Sequence, residues 1–155
     1  MSAFKYPALS TSIAVSDAAR AIAFDQTAFD AKERCRLINP GNGRIGHAEI
    51  LIGDILLMLS DDTSALQRTP ATLGGVTARL ALHCNNVDAA FHQAIAAGAE
   101  EIRLPADQFY GHRCACIRDP FGHEWMLFQE IETLSPAEMQ RRWNAMPPSS
   151  GASAH

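Results

Sequence analysis

Alternating apolar and polar positions predict two β-hairpins in this chain. The clearer hairpin joins 47–52 to 55–60 through the dipeptide Gly53-Asp54. Two alternating runs separated by two such turn residues are typical of a hairpin. A second hairpin is predicted within 112–129, around the turn at 119–122. The chain is therefore expected to contain antiparallel strand pairs.

Two other stretches have apolar residues at helical spacing. The first, near 17–29, follows Asp17, and the second, near 87–97, follows Asn86. Asp and Asn are favoured helix N-caps, and each stretch places its apolar residues on one face. Both are predicted to be helices that cover one side of a sheet.

These elements repeat along the chain. Segments 12–22 and 81–91 agree in kind at an offset of 69 residues, each passing from a short strand into a capped helix. Each half then continues with a weaker strand and a hairpin. This internal repeat predicts an α+β fold of two tandem βαβββ modules, at 9–60 and 77–130.

The remaining segments flank or join the modules. They are predicted to be an N-terminal arm, a linker, a C-terminal helix and a flexible tail, at 1–8, 61–76, 131–146 and 147–155. The C-terminal helix is indicated by Ser135 as N-cap, Pro136 in the first turn and Glu138 as a capping-box residue. Leu134 and Met139 are placed to form a hydrophobic staple.

Composition narrows the function classes. The 155 residues are 47% hydrophobic and 19% charged with a net charge of −4, which suits one globular domain and offers no basic surface for nucleic acid. No apolar stretch approaches the length of a membrane span, and the first residues do not resemble a secretion signal. A cytoplasmic protein that binds a small molecule is therefore expected. The four cysteines, including Cys114 and Cys116, are expected to be reduced thiols.

The order of these elements resembles the vicinal oxygen chelate superfamily, which includes glyoxalases, bleomycin-resistance proteins and dioxygenases. The strongest match is Asp-Pro-Phe-Gly-His-Glu-Trp at 119–125, similar to the turn before the last strand of that superfamily. Supporting matches lie at 15–22, 47–54 and 86–99. The resemblance implies a cupped mixed sheet built from the two modules, and a homodimer.

Within the superfamily the chain is similar to the PhnB-like branch. The matching features are the segment 107–113 and the Leu-Ser-Pro-x-Glu start of the C-terminal helix. The chain departs from the pattern at Asp25, where a tyrosine is usual, and at Asp30, where a cap glycine is usual. Asp30 can adopt a left-handed cap at modest cost, so the fold is expected to persist.

The resemblance also implies where a metal would be held. Metal-dependent members use four positions on equivalent strands, and these correspond here to Ser10, Met58, Arg79 and Met126. None is an ordinary ligand of a hard or borderline divalent cation, and Arg79 carries a permanent positive charge. Shifting the alignment by one residue supplies no better ligands. We therefore expect no cofactor and no usual metal, which leaves only a non-standard metal site open.

Residues of like parity with these four positions share their face of the sheet and are expected to line the cup. The predicted ligand-binding residues are Ser10, Ser12, His47, Glu49, Met58, Arg79, His83, Glu124 and Met126. The Gly53-Asp54 turn places Glu49 opposite Met58 in the first hairpin.

Some polar residues have two interpretations. Glu49 is a candidate general base, or a partner for an arginine such as Arg79. His83 is a candidate proton shuttle, or a simply hydrogen-bonded strand histidine. His112 resembles part of a zinc site with the two neighbouring cysteines, but alternate residues on one strand do not converge as zinc ligands must. His123 is interpreted as a turn or interface residue.

Three functions follow from these observations. The favoured one is metal-independent binding of a small, partly apolar molecule in the cup between modules. The first alternative is a metal-dependent glyoxalase-like lyase or isomerase, or an extradiol dioxygenase, which needs an anchored ion. The second alternative is a metal-free enzyme that uses Glu49 or His83.

Overall fold

The first βαβββ module is a four-stranded mixed sheet with one long helix. The structure, a computed structural model, describes residues 4–147. Strand β1 is parallel to β4, while β4, β3 and β2 are antiparallel neighbours, in the order β1-β4-β3-β2. The elements of this module are β1 (Thr11–Val15), α1 (Ala18–Phe29), β2 (Lys32–Ile38), β3 (Ile45–Ile52) and β4 (Ile55–Asp61).

The second module repeats this arrangement with the order β5-β8-β7-β6, again with one parallel pair. A short helix, α2 (Pro70–Leu73), lies in the predicted linker. The elements of the second module are β5 (Arg79–His83), α3 (Val87–Ala96), β6 (Glu100–Asp107), β7 (His112–Arg118) and β8 (Glu124–Glu130). The predicted pair of tandem modules is confirmed.

Both long helices begin at the predicted caps. The side chain of Asp17 accepts a hydrogen bond from the backbone of α1, and that of Asn86 does the same for α3. Asp30 ends α1 in the left-handed conformation with φ of 56°, as expected for a residue at a glycine position. The N-caps accept hydrogen bonds from N–H donors at the helix starts, and the cap at Asp30 supplies a donor for a carbonyl group at the end of α1.

The two long helices pack against each other and share one core. Helices α1 and α3 pack against each other, and one cluster of buried apolar residues includes Ile22, Ile50, Phe91 and Leu127 from both modules. Within residues 4–147, no strand of one sheet is hydrogen-bonded to a strand of the other. The modules are therefore joined through their helices, linker and turns.

Two turns secure this contact. His123 Nε2 lies 2.9 Å from the carbonyl oxygen of Ala14, so His123 is an interface residue as interpreted from the sequence. Gly122 has φ of 91°, and a Cβ atom there would lie 2.8 Å from Cβ of Pro70. The turn before β8 therefore needs glycine both for its backbone conformation and for its close contact with α2.

A C-terminal helix, α4 (Pro136–Asn144), follows the second module as predicted, and Ser135 accepts a hydrogen bond from the backbone N–H of Glu138 at 3.2 Å. The Glu138 carboxylate binds Arg141 and Arg142 instead of completing a capping box. The reason is that a guanidinium is a stronger partner for a carboxylate than a neutral backbone N–H. Of the predicted flexible tail, 147–155, residues 148–155 lie outside the described residues.

All four cysteines are free, as expected for thiols. Within residues 4–147, none of the helices is long and apolar enough to cross a membrane.

Candidate functional site

The candidate residues lie on the sheet faces that point away from α1 and α3, which we call the outer faces. In the first module Glu49 pairs with Met58, and Met58 pairs with Ser12. The equivalent row in the second module is Cys116, Met126 and Ala81. The predicted register of the first hairpin is correct, and the repeat extends to the outer faces.

Glu49 is the centre of a polar cluster on the first outer face. It is only 3% exposed, yet its Oε1 atom lies 2.9 Å from the hydroxyl of Tyr6 and 3.0 Å from Nε2 of His47. Arg34 Nη1 lies 3.0 Å from the other carboxylate oxygen. The hydrogen bond with His47 lowers the pKa of Glu49, helped by Tyr6 and Arg34 and opposed by burial. Glu49 is thus held as a charged carboxylate, with Oε1 hydrogen-bonded and Oε2 in an ion pair with Arg34 but without a hydrogen bond among the described residues.

Glu49 forms its ion pair with a different arginine from the one that the sequence analysis considered. That interpretation paired it with an arginine such as Arg79, whereas the structure uses Arg34 of the same module. A register shift between Glu33 and Cys35 leaves Arg34 outside the strand ladder, opposite the carboxylate. The guanidinium also lies 3.9 Å from the ring centre of Phe4, so the N-terminal arm covers this cluster.

Arg79 pairs instead with Glu124 of the same sheet. Arg79 Nε lies 3.1 Å from one carboxylate oxygen of Glu124, and Arg118 Nη2 lies 3.3 Å from the other. Burial acts to raise the pKa of Glu124, but the hydrogen bonds from both arginines outweigh it and lower the pKa. One carboxylate is thus shared by two guanidinium groups, and Arg118 is also paired with Glu100 at 3.5 Å.

A cleft of about 500 Å³ lies between the two modules. The first module contributes Thr11 and the turn and strand at 52–57. The second contributes residues from both faces of its sheet: Arg79, Ala81, His83 and Phe128 from the outer face, and Leu80, Leu82 and Trp125 from the inner face. Two of the predicted ligand-binding residues, Arg79 and His83, are therefore brought together with Phe128. The volume is in the range of small-molecule sites in proteins.

The other predicted residues lie elsewhere. Ser12 lines a separate cavity of about 240 Å³ together with Leu80 and His123. Glu124 does not line the cleft but forms an ion pair with Arg79, which does. Ser10 precedes β1, and the other four lie on the outer faces, but none of the five remaining residues lines the cleft: Ser10, His47, Glu49, Met58 and Met126. The sequence analysis located Asp54 and Ile55 in the first hairpin but did not predict that they line the cleft. A hairpin pattern does not show which distant segment its turn contacts.

Aromatic rings form one wall of the cleft. The ring of Phe128 lies 5.3 Å from that of His83 in an edge-on arrangement, and 5.5 Å from that of His112 in a stacked arrangement. The Tyr110 ring packs against His112, and its hydroxyl lies 3.5 Å from Sγ of Cys114. Burial raises the pKa of Tyr110 to about 12. His112 and Cys114 therefore take part in packing around Phe128.

The residues at the family's metal positions do not fit a divalent ion. Ser10 and Met58 in one module, and Arg79 and Met126 in the other, offer a hydroxyl, two thioethers and a cation where carboxylates and imidazoles are needed. Within residues 4–147, no three His, Cys, Asp or Glu side chains are grouped closely enough to hold a metal ion. The donor chemistry of this face suits hydrogen bonding and apolar contact.

Comparison with known proteins gives a consistent picture of the fold. The model of the Glyoxalase/Bleomycin resistance protein/Dioxygenase superfamily matches residues 8–127. An uncharacterized protein of Mycobacterium bovis is 39% identical over 138 residues, covering 86% of this chain and 90% of that protein. An uncharacterized protein of Mycobacterium tuberculosis is also 39% identical over 138 residues, covering 86% of this chain and 81% of that protein.

Two solved structures are similar to most of the chain. TioX from Micromonospora sp. ML1 has a TM-score of 0.63 and 26% identity, covering 79% of this chain and 97% of that one. A PhnB protein from Bacillus cereus, described as a putative 3-demethylubiquinone-9 3-methyltransferase, has a TM-score of 0.62 and 18% identity. That match covers 79% of this chain and 99% of the Bacillus protein, and at this identity it shows the fold alone.

Proposed function

Because the chain belongs to the glyoxalase/bleomycin resistance protein/dioxygenase superfamily, we propose that it binds a small, partly apolar organic molecule between its modules. The cleft of about 500 Å³ is the observation that carries this proposal. Its walls combine apolar side chains such as Ile55, Leu57 and Phe128 with a few polar groups, among them Arg79 and His83. That composition is typical of sites that bury an organic ligand and orient it by a small number of polar contacts.

The proposed binding needs no divalent metal. Lewis-acid activation of a substrate requires an ion anchored by suitable donors with a free coordination position. Ser10, Met58 and Met126 are poor donors for such an ion, and Arg79 repels it. This donor set favours a binding protein over a metal-dependent lyase, isomerase or dioxygenase.

The polar cluster on the first outer face does not favour the alternative of a metal-free enzyme. Glu49 is 3% exposed and already engaged by Tyr6, His47 and Arg34, so a substrate proton has no open path to it. A general base must come within hydrogen-bonding reach of the proton that it removes. Glu49 is better suited to anchoring the N-terminal arm.

We propose that the working form is a cytoplasmic homodimer. Four free thiols suit a reducing compartment. Each outer face is a half-cup, since the two sheets of one chain are not joined edge to edge within the described residues. A second copy can cover these faces and bury residues such as Met58 and Met126.

The binding proposal is tested by filling the cleft. Ala81 is exposed and lines the cleft, so Ala81→Trp should occupy its centre. Ala106, an exposed alanine on β6, does not line the cleft, and Ala106→Trp is the matched control. With 2-naphthol as the probe, saturation-transfer NMR should detect binding to the wild type and to Ala106→Trp but not to Ala81→Trp. Equal signals from both variants would place the binding outside this cleft.

The metal proposal leads to a separate prediction. Protein purified without chelators should contain far less than one equivalent of zinc, nickel, iron or manganese per chain, because the four family positions lack suitable donors. Elemental analysis by mass spectrometry measures this ratio. About one equivalent that is lost in Glu49→Gln or His83→Ala would instead reveal a non-standard site.

A further inference from the structure

On the basis of the proposed function, we infer that the cleft is specific for an amphipathic aryl carboxylate, with its anion bound by Arg79 and its ring packed against Phe128 and His83. The two groups of this ligand class are joined by a short apolar spacer. Charge, aromatic packing and spacing within the cleft support the inference.

The outer face of β5 and β8 changes in character along the strands. Arg79 pairs with Glu124 at one end, Ala81 with Met126 in the middle, and His83 with Phe128 at the other end. Successive residues on one face of a strand are two positions apart. The floor of the cleft therefore passes from charged, through small and apolar, to aromatic.

Arg79 is suited to bind an anion at the charged end. Its hydrogen bond to Glu124 uses only Nε, and among the described residues no hydrogen bond engages its two terminal nitrogens. A guanidinium has five N–H donors, so four remain for a ligand, and they match the two oxygens of a carboxylate. Arg118 is paired with both Glu100 and Glu124 and does not line the cleft, so Arg79 is the cation placed to bind an anion there.

The opposite end is suited to a ring and not to an anion. Phe128 is held between His83 and His112, so its orientation is fixed before a ligand arrives. Aromatic rings prefer offset or edge-on contacts with one another, which the exposed edge of such a wall can provide. The turn residue Asp54 also lines the cleft, and its neighbour Gly53 lines a smaller cavity with His83. The negative charge of Asp54 therefore lies toward the aromatic end and repels an anion there.

The strand spacing gives the length of the ligand. Arg79 and His83 are four residues apart on β5, which corresponds to about 13 Å along the strand. A ligand that contacts both side chains spans less than this distance, because each of its end groups stands about 3 Å from the group that it contacts, so a carboxylate and a ring about 8 to 10 Å apart would satisfy both ends. A phenyl ring and a carboxylate joined by five methylene groups have this separation, as in 6-phenylhexanoate.

The test is isothermal titration calorimetry with three probes: 6-phenylhexanoate, its neutral amide 6-phenylhexanamide, and the shorter phenylacetate. We expect 6-phenylhexanoate to bind wild-type protein about tenfold more tightly than either other probe, since a charge-assisted bidentate contact is lost in the amide. Arg79→Met should abolish the preference for the acid. Arg118→Met is the matched control, because it also removes one partner of Glu124 but not a residue of the cleft, and it should keep the preference. Thermal melting of both variants verifies that they fold.

The outcomes separate the inference from the function on which it rests. If the acid and amide bind equally, or if phenylacetate binds as tightly as 6-phenylhexanoate, the inferred ligand class is wrong and binding in the cleft stands. An equal loss of preference in Arg79→Met and Arg118→Met would overturn the assignment of Arg79. If no probe binds and 2-naphthol also fails, the proposed function itself fails.

Discussion

At the scale of single residues, Asp25 is a buried carboxyl group with a strongly raised pKa. It lies on α1, is 3% exposed, and stands near Asp119 in the turn before β8. Asp119 is stabilised by hydrogen bonds from the indole of Trp125 and the backbone of Phe121, whereas within residues 4–147 the Asp25 side chain has neither a hydrogen bond nor an ion pair. Burial, together with the charge of Asp119, raises the pKa of Asp25 to about 8.

This raised pKa predicts a specific dependence of stability on pH. Between about pH 4 and pH 8 the folded state holds a proton on Asp25 that the unfolded state has released, so this residue lowers the free energy of unfolding as pH rises. Asp25→Asn should therefore stabilise the protein by about 1 to 3 kcal/mol at pH 8 and by much less at pH 4. Urea denaturation at both pH values measures the difference.

The control for this prediction lies on the same helix. Asp30 is exposed and ends α1 in the left-handed conformation, which asparagine also tolerates. Asp30→Asn should change stability little, and equally at both pH values. A stabilisation by Asp25→Asn that is the same at pH 4 and pH 8 would contradict the assigned ionisation.

At the scale of elements, the internal repeat includes a hydrogen bond between the last strand of each module and the start of its long helix. Asp61, at the end of β4, accepts hydrogen bonds from the backbone N–H groups of Ala18 at 2.8 Å and Ile45 at 2.7 Å. In the second module Gln129 accepts from the backbone of Val87 at 3.2 Å. Both side chains cap the first turn of a long helix from the last strand of the same module, so each helix is attached to its sheet by a polar contact as well as by the core.

The two caps should differ in energetic importance. Asp61→Ala leaves two buried backbone donors without an acceptor and should lower the free energy of unfolding by about 3 kcal/mol. Gln129→Ala removes one neutral, partly buried bond and should cost about 1 kcal/mol. Chemical denaturation of the two variants measures both values. Equal costs would mean that the bond between Asp61 and Ile45 contributes nothing to stability.

At the scale of the whole molecule, the outer faces are the surfaces that the proposed homodimer would cover. The helices cover the inner face of each sheet, whereas Met58 of the first module and Met126 of the second lie on the outer faces and do not line the cleft. Partly apolar faces of this kind commonly become protein interfaces. The proposed homodimer would bury them.

Sedimentation equilibrium tests the dimer directly. At micromolar concentration the mass should be twice the 16.8 kDa of one chain. Met58→Lys should shift the protein toward monomer, because a buried ammonium without a partner is costly at an interface. Leu66→Lys, on an exposed linker residue, is the control and should leave the mass unchanged. A wild-type mass of one chain would rule out the dimer.

The sequence by itself determined the local structure. Strand periodicity located both hairpins, and the Gly53-Asp54 turn set the register that places Glu49 opposite Met58. The helix starts followed from Asp17, Asn86 and Ser135, because an N-cap acts within one turn of the helix that it begins. The repeat then led to two modules and to the correct superfamily.

Only the tertiary structure decided which side chains meet. Alternation along a strand shows which face a residue occupies, but not which distant residue lies opposite that face. Arg34, placed by an irregularity in β2, took the role considered for Arg79, while Arg79 paired with Glu124. Likewise, Asp54 lines the cleft because the modules pack through their helices, a contact between segments far apart in the chain that no local pattern encodes.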